Sequence, residues 1–216
     1  MALVKFSTLL QDQSPSGTFV VDTSFVLAAA TGGSKNSEKR YKTAFDLKRH
    51  LIKHSVGLVY TGLIQNEATH KTREVLFFQA IEKELKRYPK VVKTFKDSRN
   101  DMKEVLKAGY VKAFEAAFGK KGASIKAELD SIFFGCRYLS TNEMKPKPSW
   151  DRVREIIATY GLDSTDAMLI NFAISQKTFN GFITMDSDFR FCNDVDGFDI
   201  IIPDNIYAFD GPKDLE

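Results

Sequence analysis

The sequence of 216 residues predicts an α/β protein in which a parallel sheet is flanked by helices. Short apolar runs alternate along the chain with longer segments that suit helices, which is the chain order of a parallel sheet. Acidic residues follow several of these runs, and functional groups gather at the carboxyl ends of the strands in such sheets. An apolar content of 43% and a charged content of 27% are those of an ordinary globular protein.

The first predicted strand is the apolar run at 18–21, within the stretch GTFVVDTSFVLAAA. The residues DTS follow it with the chemistry of a turn and a helix N-cap, so a short helix is expected next. The loop at 32–40 leads into a basic helix that ends near His54. The second predicted strand is SVGLVYTG at 55–62, where an apolar run is bracketed by small residues.

A long helical stretch separates the second strand from the third. We expect one domain over 1–216, in which a basic helical insertion occupies about 90–150. Pro89 ends the first helix of the stretch, and a connector rich in proline and lysine at 142–150 closes it. The helices predicted in this stretch are 63–88, 91–118 and a third that follows GKKG and reaches about Leu139.

The last part of the chain returns to alternating elements. Helices are predicted at about 150–160 and 164–176, and they lead to the strand FITM at 182–185. A late strand, FDIII, is predicted at 198–202. These segments complete the predicted sheet.

The net charge of +3 conceals an uneven distribution along the chain. Residues 68–126 contain fifteen Lys/Arg against seven Asp/Glu, whereas the segment from Asp163 onward contains eleven Asp/Glu against three Lys/Arg. The basic part contains cations spaced by three or four, which fits a phosphate-contacting stripe and equally fits a solvated helical face. The stripe consists of Lys83, Lys86, Arg87, Lys90, Lys93, Lys96, Lys103 and Lys107.

Several classes of protein are disfavoured by what the sequence lacks. The start of the chain does not fit a secretory signal, and no apolar run is long enough to span a bilayer, so no membrane association is expected. Cys136 and Cys192 match no metal or redox spacing, which favours a reduced, cytoplasmic protein. Ser24 and Ser164 have no neighbouring histidine in a nucleophile motif, which disfavours a serine hydrolase.

Carboxylates follow the predicted strands, and they are expected at one edge of the sheet. Carboxylates that converge repel one another unless a cation lies among them. Oxygen ligands suit Mg²⁺ or Mn²⁺, which bind phosphate oxygens and activate water for attack on a phosphodiester. The candidate metal ligands are Asp22, Glu67, Asp166, Asp186 and Asp188, and Thr184 is the candidate that orients a water or a phosphate.

Each candidate also has a structural interpretation. Asp22 suits a helix cap, and Glu67 on a long helix suits a solvated position. Asp163 and Asp166 stand in the relation of a capping box, in which we take Asp163 as the cap and Asp166 as the inward ligand. Asp188 fits a ligand, an outer partner or a turn residue equally. Thr184 also suits a strand simply as a β-branched residue.

Four motifs in this order resemble those of the PIN-domain nucleases, and the bacterial VapC-type toxins are especially similar. The motifs are FVVDTSFVLAA, the glutamate of LIQNEATH, the helix start DAMLINFA, and FITMDSDF. By this resemblance Asp22, Glu67, Asp166 and Asp186 fall on the acidic quartet of the family. Asp188 falls on its frequent fifth acid, and Thr184 falls on its strand threonine.

The resemblance implies a three-layer α/β/α sandwich and an endoribonuclease that uses Mg²⁺ or Mn²⁺. It also implies a toxin-like enzyme with a partner antitoxin, and a homodimer, since family members often dimerise. The chain departs from the family's pattern in two respects. It is longer than a small toxin because of the helical insertion, and Ser24 stands where asparagine is common.

Two other functions fit parts of the sequence. A strand followed by Asp-x-Asp also begins the haloacid-dehalogenase phosphatases, but there the motif lies near the start of the domain, whereas Asp186 lies near the end of this chain. The second alternative is a catalytically weak PIN-like scaffold that binds RNA or a protein. A scaffold, however, has no need of mutually repelling carboxylates.

Overall fold

The computed structural model describes residues 3–85, 122–140, 143, 149–192 and 198–207. The chain forms two compact units. The first comprises residues 1–65 and 132–216, and the second comprises residues 66–131. The single domain expected over 1–216 stays a prediction.

The described residues form six strands and eight α-helices. The strands are β1 (Leu3–Lys5), β2 (Thr18–Val21), β3 (Gly57–Thr61), β4 (Arg137–Leu139), β5 (Gly181–Ile183) and β6 (Asp199–Ile202). The helices are α1 (Phe6–Gln11), α2 (Thr23–Gly32), α3 (Lys39–Lys53), α4 (Gly62–Leu85), α5 (Gly122–Ile132), α6 (Trp150–Tyr160), α7 (Ser164–Ser175) and α8 (Asp204–Tyr207). A 3₁₀-helix spans Asp188–Phe191.

The six strands form one parallel sheet in the order β1-β6-β5-β2-β3-β4, which confirms the predicted α/β fold class. Helix α3 packs against α1 and α2, while α6 packs against α7, which also contacts β5. Right-handed crossovers, the rule for parallel strands, place these two groups of helices on opposite faces of the sheet. The fold is therefore a three-layer α/β/α arrangement.

The direction of strand addition reverses between β2 and β5. From β2 the chain proceeds outward to β3 and β4, then returns to the other side of β2 to form β5 and continues outward to β6. In open parallel sheets such a reversal leaves a crevice at the carboxyl ends of the two strands, where ligands bind. This reversal therefore predicts a ligand site at the carboxyl ends of β2 and β5.

The central strands are apolar along their length because helices cover both faces of the sheet. Val20 and Val21 of β2 and Phe182 and Ile183 of β5 have no solvent exposure. Close backbone packing also limits side-chain size, since a Cβ on Gly181 would lie 2.5 Å from the carbonyl oxygen of Asp199. The core thus fixes the strand ends that carry the candidate carboxylates.

One predicted helix extends too far, and neither β1 nor β4 is predicted from the sequence. The helix expected to reach Leu139 ends at Ile132, because Gly135 adopts a positive φ of 76° and a turn joins the amide of Cys136 to the carbonyl of Phe133. The residues Arg137–Leu139 then form β4, and the unpredicted strand β1 lies at the opposite edge of the sheet. The helix predicted over 91–118 and the lysine stripe beyond Lys83 lie outside the described residues.

Candidate functional site

Asp22 is a buried carboxylate at the carboxyl end of β2. Its side chain is 5% exposed, and it is the N-cap of α2. Its Oδ1 accepts a hydrogen bond of 2.6 Å from the amide of Thr23, and its Oδ2 accepts one of 3.3 Å from the amide of Ser24. The structural role expected for Asp22, a helix cap, is therefore present.

Two hydroxyl groups also donate to this carboxylate. Thr184 follows Ile183, which pairs with Val21, so Thr184 lies beside Asp22 across the sheet. The Oγ1 of Thr184 donates to Oδ2 of Asp22 over 2.9 Å, and the Oγ of Ser24 donates to the same oxygen. Among the described residues, two amides and two hydroxyls thus donate to the Asp22 carboxylate.

The same two hydroxyl oxygens accept hydrogen bonds from the backbone that follows β5. Because each hydroxyl gives its only proton to Asp22, each oxygen is left to accept. The amide of Met185 donates to Ser24 Oγ over 2.9 Å, and the amide of Asp186 donates to Thr184 Oγ1 over 3.0 Å. This network couples the start of α2 to the backbone of Asp186.

Asp186 is half-buried just past the carboxyl end of β5, two residues beyond Thr184. Its Oδ1 accepts a hydrogen bond of 2.9 Å from the amide of Asp188 and so orders the start of the 3₁₀-helix. Among the described residues, none donates to its Oδ2. Asp188 itself is exposed, which agrees with the turn role considered for it.

Asp166 lies in the first turn of α7, where the sequence predicted a capping box. The carboxylate of Asp163 accepts hydrogen bonds from the amides of Thr165 and Asp166, at 2.7 and 2.9 Å. Asp163 is therefore the cap, as predicted, and Asp166 is the third residue of the helix. The side chain of Asp166 is half-buried.

Glu67 lies on α4 within the second compact unit and is half-buried. Its predicted position beside the other carboxylates stays a prediction. In the parts of the chain that the structure describes, no group of three or more His, Cys, Asp or Glu side chains is arranged to hold a metal ion. The side chains of Asp22 and Asp186 offer carboxylate oxygens, a ligand type that suits a hard divalent cation rather than zinc.

Two residues of this edge, Ser24 and Thr61, were not predicted as parts of the site. The absence of a histidine partner excludes Ser24 only as a nucleophile, and its hydroxyl binds Asp22 and the amide of Met185. Val20 of β2 pairs with Val59 of β3. Asp22 lies two residues after Val20, and Thr61 lies two residues after Val59. The side chains of Asp22 and Thr61 therefore lie on the same face of the sheet. The Thr61 hydroxyl is buried and has no hydrogen-bond partner among the described residues.

Comparisons of this chain with protein families, with curated proteins and with solved structures find no match. Within the described ranges, no helix has both the length and the apolar character that crossing a membrane requires.

Proposed function

We propose that the protein is a metal-dependent endoribonuclease that hydrolyses phosphodiester bonds of RNA. The observation that carries the proposal is the link that Thr184 makes between the Asp22 carboxylate and the backbone amide of Asp186, at the reversal point of a parallel sheet. The four ordered motifs that resemble PIN-domain nucleases support the same activity.

In this proposal the two carboxylates differ in what they contribute. Asp22 is held in place by two amides and two hydroxyls among the described residues, and it contributes a fixed negative charge to the proposed site. Asp186 keeps Oδ2 available for an incoming ligand, while its Oδ1 is engaged by the amide of Asp188. Glu67 and Asp166 complete the proposed set, with Asp188 as an outer member.

These carboxylates would hold Mg²⁺ or Mn²⁺. When bound, such an ion lowers the pKa of water and stabilises the charge that develops on the leaving oxygen. Thr184 acts as a positioning residue, because its hydroxyl orients Asp22 and fixes the amide of Asp186.

The partners of the proposed enzyme are part of the same hypothesis. Its substrate is RNA, and its place of action is the cytoplasm. A toxin-like enzyme of this kind would have a protein antitoxin, and a homodimer would be its natural assembly. A neighbouring reading frame that encodes a small antitoxin would support the toxin role.

The activity is tested with labelled single-stranded RNA, Mn²⁺ or Mg²⁺, and an EDTA control. Asp22→Asn and Asp186→Asn are expected to lower the cleavage rate at least about 100-fold, since each removes a charge that the transition state needs. The matched control is Asp151→Asn, which changes an exposed aspartate whose partner, Arg154, is also exposed. Full cleavage by Asp22→Asn would overturn the proposed site.

A second readout tests metal binding without catalysis. An ion that binds only the folded protein raises its melting temperature with concentration. Mn²⁺ is expected to raise the melting temperature of the wild type and of Asp151→Asn, but not that of Asp186→Asn. An equal rise in all three proteins would exclude Asp186 as a ligand.

A PIN-like scaffold that binds RNA or a protein without cleaving it is the second candidate. The capping role of Asp22 favours it, because that role alone accounts for a buried carboxylate at this position. RNA binding without cleavage in the presence of either metal would support the scaffold and contradict the nuclease.

A further inference from the structure

A cavity of about 530 Å³ opens beside the carboxyl ends of β5 and β6. Its walls come from α2, from the start of α3, from the residues after β5, and from the region around α8. All of these segments belong to the first compact unit. The volume lies within the range of about 300–1,000 Å³ that is typical of pockets for small ligands.

The walls combine apolar and polar residues. Leu27 and Met185 are among the apolar residues, while Arg40, Tyr41 and Asn205 supply polar groups. Among the described residues that line the cavity there is one cation and no carboxylate. Apolar and polar walls of this kind suit a flat ring with polar edges, and the cation suits a negative charge near that ring.

Arg40 and Tyr41 both line the cavity and contact each other. The guanidinium of Arg40 lies 4.6 Å from the centre of the Tyr41 ring and donates to the Tyr41 hydroxyl over 2.9 Å. Glu38 holds the Nε side of the guanidinium at 2.8 Å, so the group is oriented although it is exposed. Aromatic rings and arginine planes are the surfaces on which proteins stack unpaired bases.

The cavity adjoins the acidic edge of the sheet. Ser24 lines it and also donates to Asp22. Met185 and Ser187 line it as well, and along the chain they alternate with Thr184, Asp186 and Asp188. A ligand in the cavity therefore lies next to the backbone that carries the candidate carboxylates.

We propose that this cavity binds one unpaired nucleotide of single-stranded RNA, next to the phosphate that the acidic edge receives. The base stacks on Tyr41 and Arg40, and the amide of Asn205 meets its polar edge. The inference rests on the proposed function, because it assigns the substrate of that site a single-stranded form. A base within a duplex is stacked between its neighbours and cannot enter the cavity.

The test measures binding of a fluorescent ten-nucleotide single-stranded RNA by anisotropy, with EDTA present so that the RNA stays intact. Tyr41→Ala removes the stacking surface, and Leu27→Trp fills the cavity. Each is expected to weaken binding about 5- to 150-fold, which corresponds to the loss of one stacked base. Tyr41→Phe keeps the ring and is expected to bind within about threefold of the wild type.

Trp150→Ala is the matched control, since Trp150 is an aromatic residue with 65% exposure on α6 and does not line the cavity. It is expected to bind as the wild type does, and melting temperatures check that every variant is folded. The same RNA as a duplex is expected to bind more weakly and to be insensitive to Tyr41→Ala. Unchanged single-strand binding in both Tyr41→Ala and Leu27→Trp would overturn the inference, as would an equal loss in Trp150→Ala.

Cleavage assays on the same proteins separate this inference from the proposed function. If the wild type cuts no RNA but the cavity variants lose single-strand binding, the nuclease proposal fails and the nucleotide site stands. If the wild type cuts RNA and the cavity variants bind it unchanged, the nuclease stands and the nucleotide site fails. A wild type that binds no RNA contradicts the nucleotide site.

Discussion

At the scale of single residues, hydrogen bonds decide how a carboxylate can be buried at the end of a strand. An ionised group taken out of water costs several kcal/mol unless other donors replace the lost water. Asp22 meets this requirement with two amides and two hydroxyls among the described residues, and one hydroxyl comes from Thr184, 162 residues away in sequence. The charge of Asp22 and the position of Thr184 thus depend on each other.

Thr184→Val is expected to destabilise the protein by about 1.5–3 kcal/mol, the usual worth of a hydrogen bond to a charged group. The valine keeps the β-branched shape, so the loss comes from the missing donor to Asp22 and the missing acceptor for the amide of Asp186. Urea unfolding measures the change, and Thr184→Ser serves as the control that retains the hydroxyl. If the valine variant is as stable as the wild type, the hydroxyl does not hold the carboxylate.

Thr61→Val is expected to have the opposite effect on the free protein. The Thr61 hydroxyl is buried without a partner among the described residues, so valine removes an unsatisfied polar group at almost equal volume. We expect a free energy of unfolding that is unchanged or about 1 kcal/mol higher. A loss of stability in urea unfolding would show that the hydroxyl has a partner in the free protein.

At the scale of elements, local sequence predicts the strands of the core and the helices that caps define. The run FI of β5 and the cap Asp163 of α7 were predicted because an apolar run and a side-chain cap are local signals. The strand β4 was missed because it has only three residues, of which Arg137 and Tyr138 are exposed. Its partner, β3, lies far away in sequence, so no local pattern marks it as a strand.

The same distinction applies to the candidate site. Asp22, Thr184 and Asp186 were predicted because each directly follows or ends an apolar run. The roles of Ser24 and Thr61 depend on which residues are opposite each other in neighbouring strands, and single-sequence patterns do not fix that register. The cavity beside α2 and α3 likewise depends on how the two helices approach each other.

Gly32→Ala tests that approach of helices. A Cβ at Gly32 would lie 2.0 Å from the carbonyl oxygen of Tyr41, a backbone atom of α3 that cannot move aside alone. By helix propensity alone, alanine stabilises a helix by about 1 kcal/mol relative to glycine. The added Cβ is expected to push the two helices apart, and overpacking of this kind costs about 1–3 kcal/mol of stability. We therefore expect net destabilisation in urea unfolding.

Gly33→Ala is the matched control for that change. A Cβ at Gly33 would lie 3.2 Å from Cε2 of Phe45, and a side-chain ring can shift where a backbone carbonyl cannot. The φ of −69° at Gly33 also suits alanine. We expect its stability to stay within about 0.5 kcal/mol of the wild type, as for most tolerated substitutions. Equal losses of stability in Gly32→Ala and Gly33→Ala would mean that the contact with Tyr41 does not cause the destabilisation.

At the scale of the whole molecule, one buried cation links stability to pH. Lys48 is 7% exposed, and among the described residues it has a single hydrogen-bond acceptor, the carbonyl of Ile132 at 2.6 Å from Nζ. Burial lowers the pKa of Lys48 from its ordinary 10.5, and Cys136 offsets part of this effect. Burial also raises the pKa of the Cys136 thiol from its ordinary 9.0, with the charge of Lys48 acting in the opposite direction.

The signs of the two contributions to stability are opposite. Between the lowered folded pKa of Lys48 and 10.5, the unfolded chain binds more protons than the folded protein, so Lys48 makes stability rise with pH. Above 9.0 the unfolded thiol of Cys136 ionises while the folded thiol keeps its proton, so Cys136 makes stability fall. Cys136→Ser therefore isolates the contribution of Lys48.

In the Cys136→Ser background we expect Lys48→Met to raise stability at pH 7, because methionine fills the site without a buried charge. The advantage of the methionine variant is expected to shrink toward pH 10.5, where the lysine of the parent has also lost its proton and its penalty. Urea unfolding of both proteins at several pH values from 7 to 10.5 measures this difference. A difference that stays constant over the range would show that burial does not lower the pKa of Lys48, and the rise with pH would then need another titrating group.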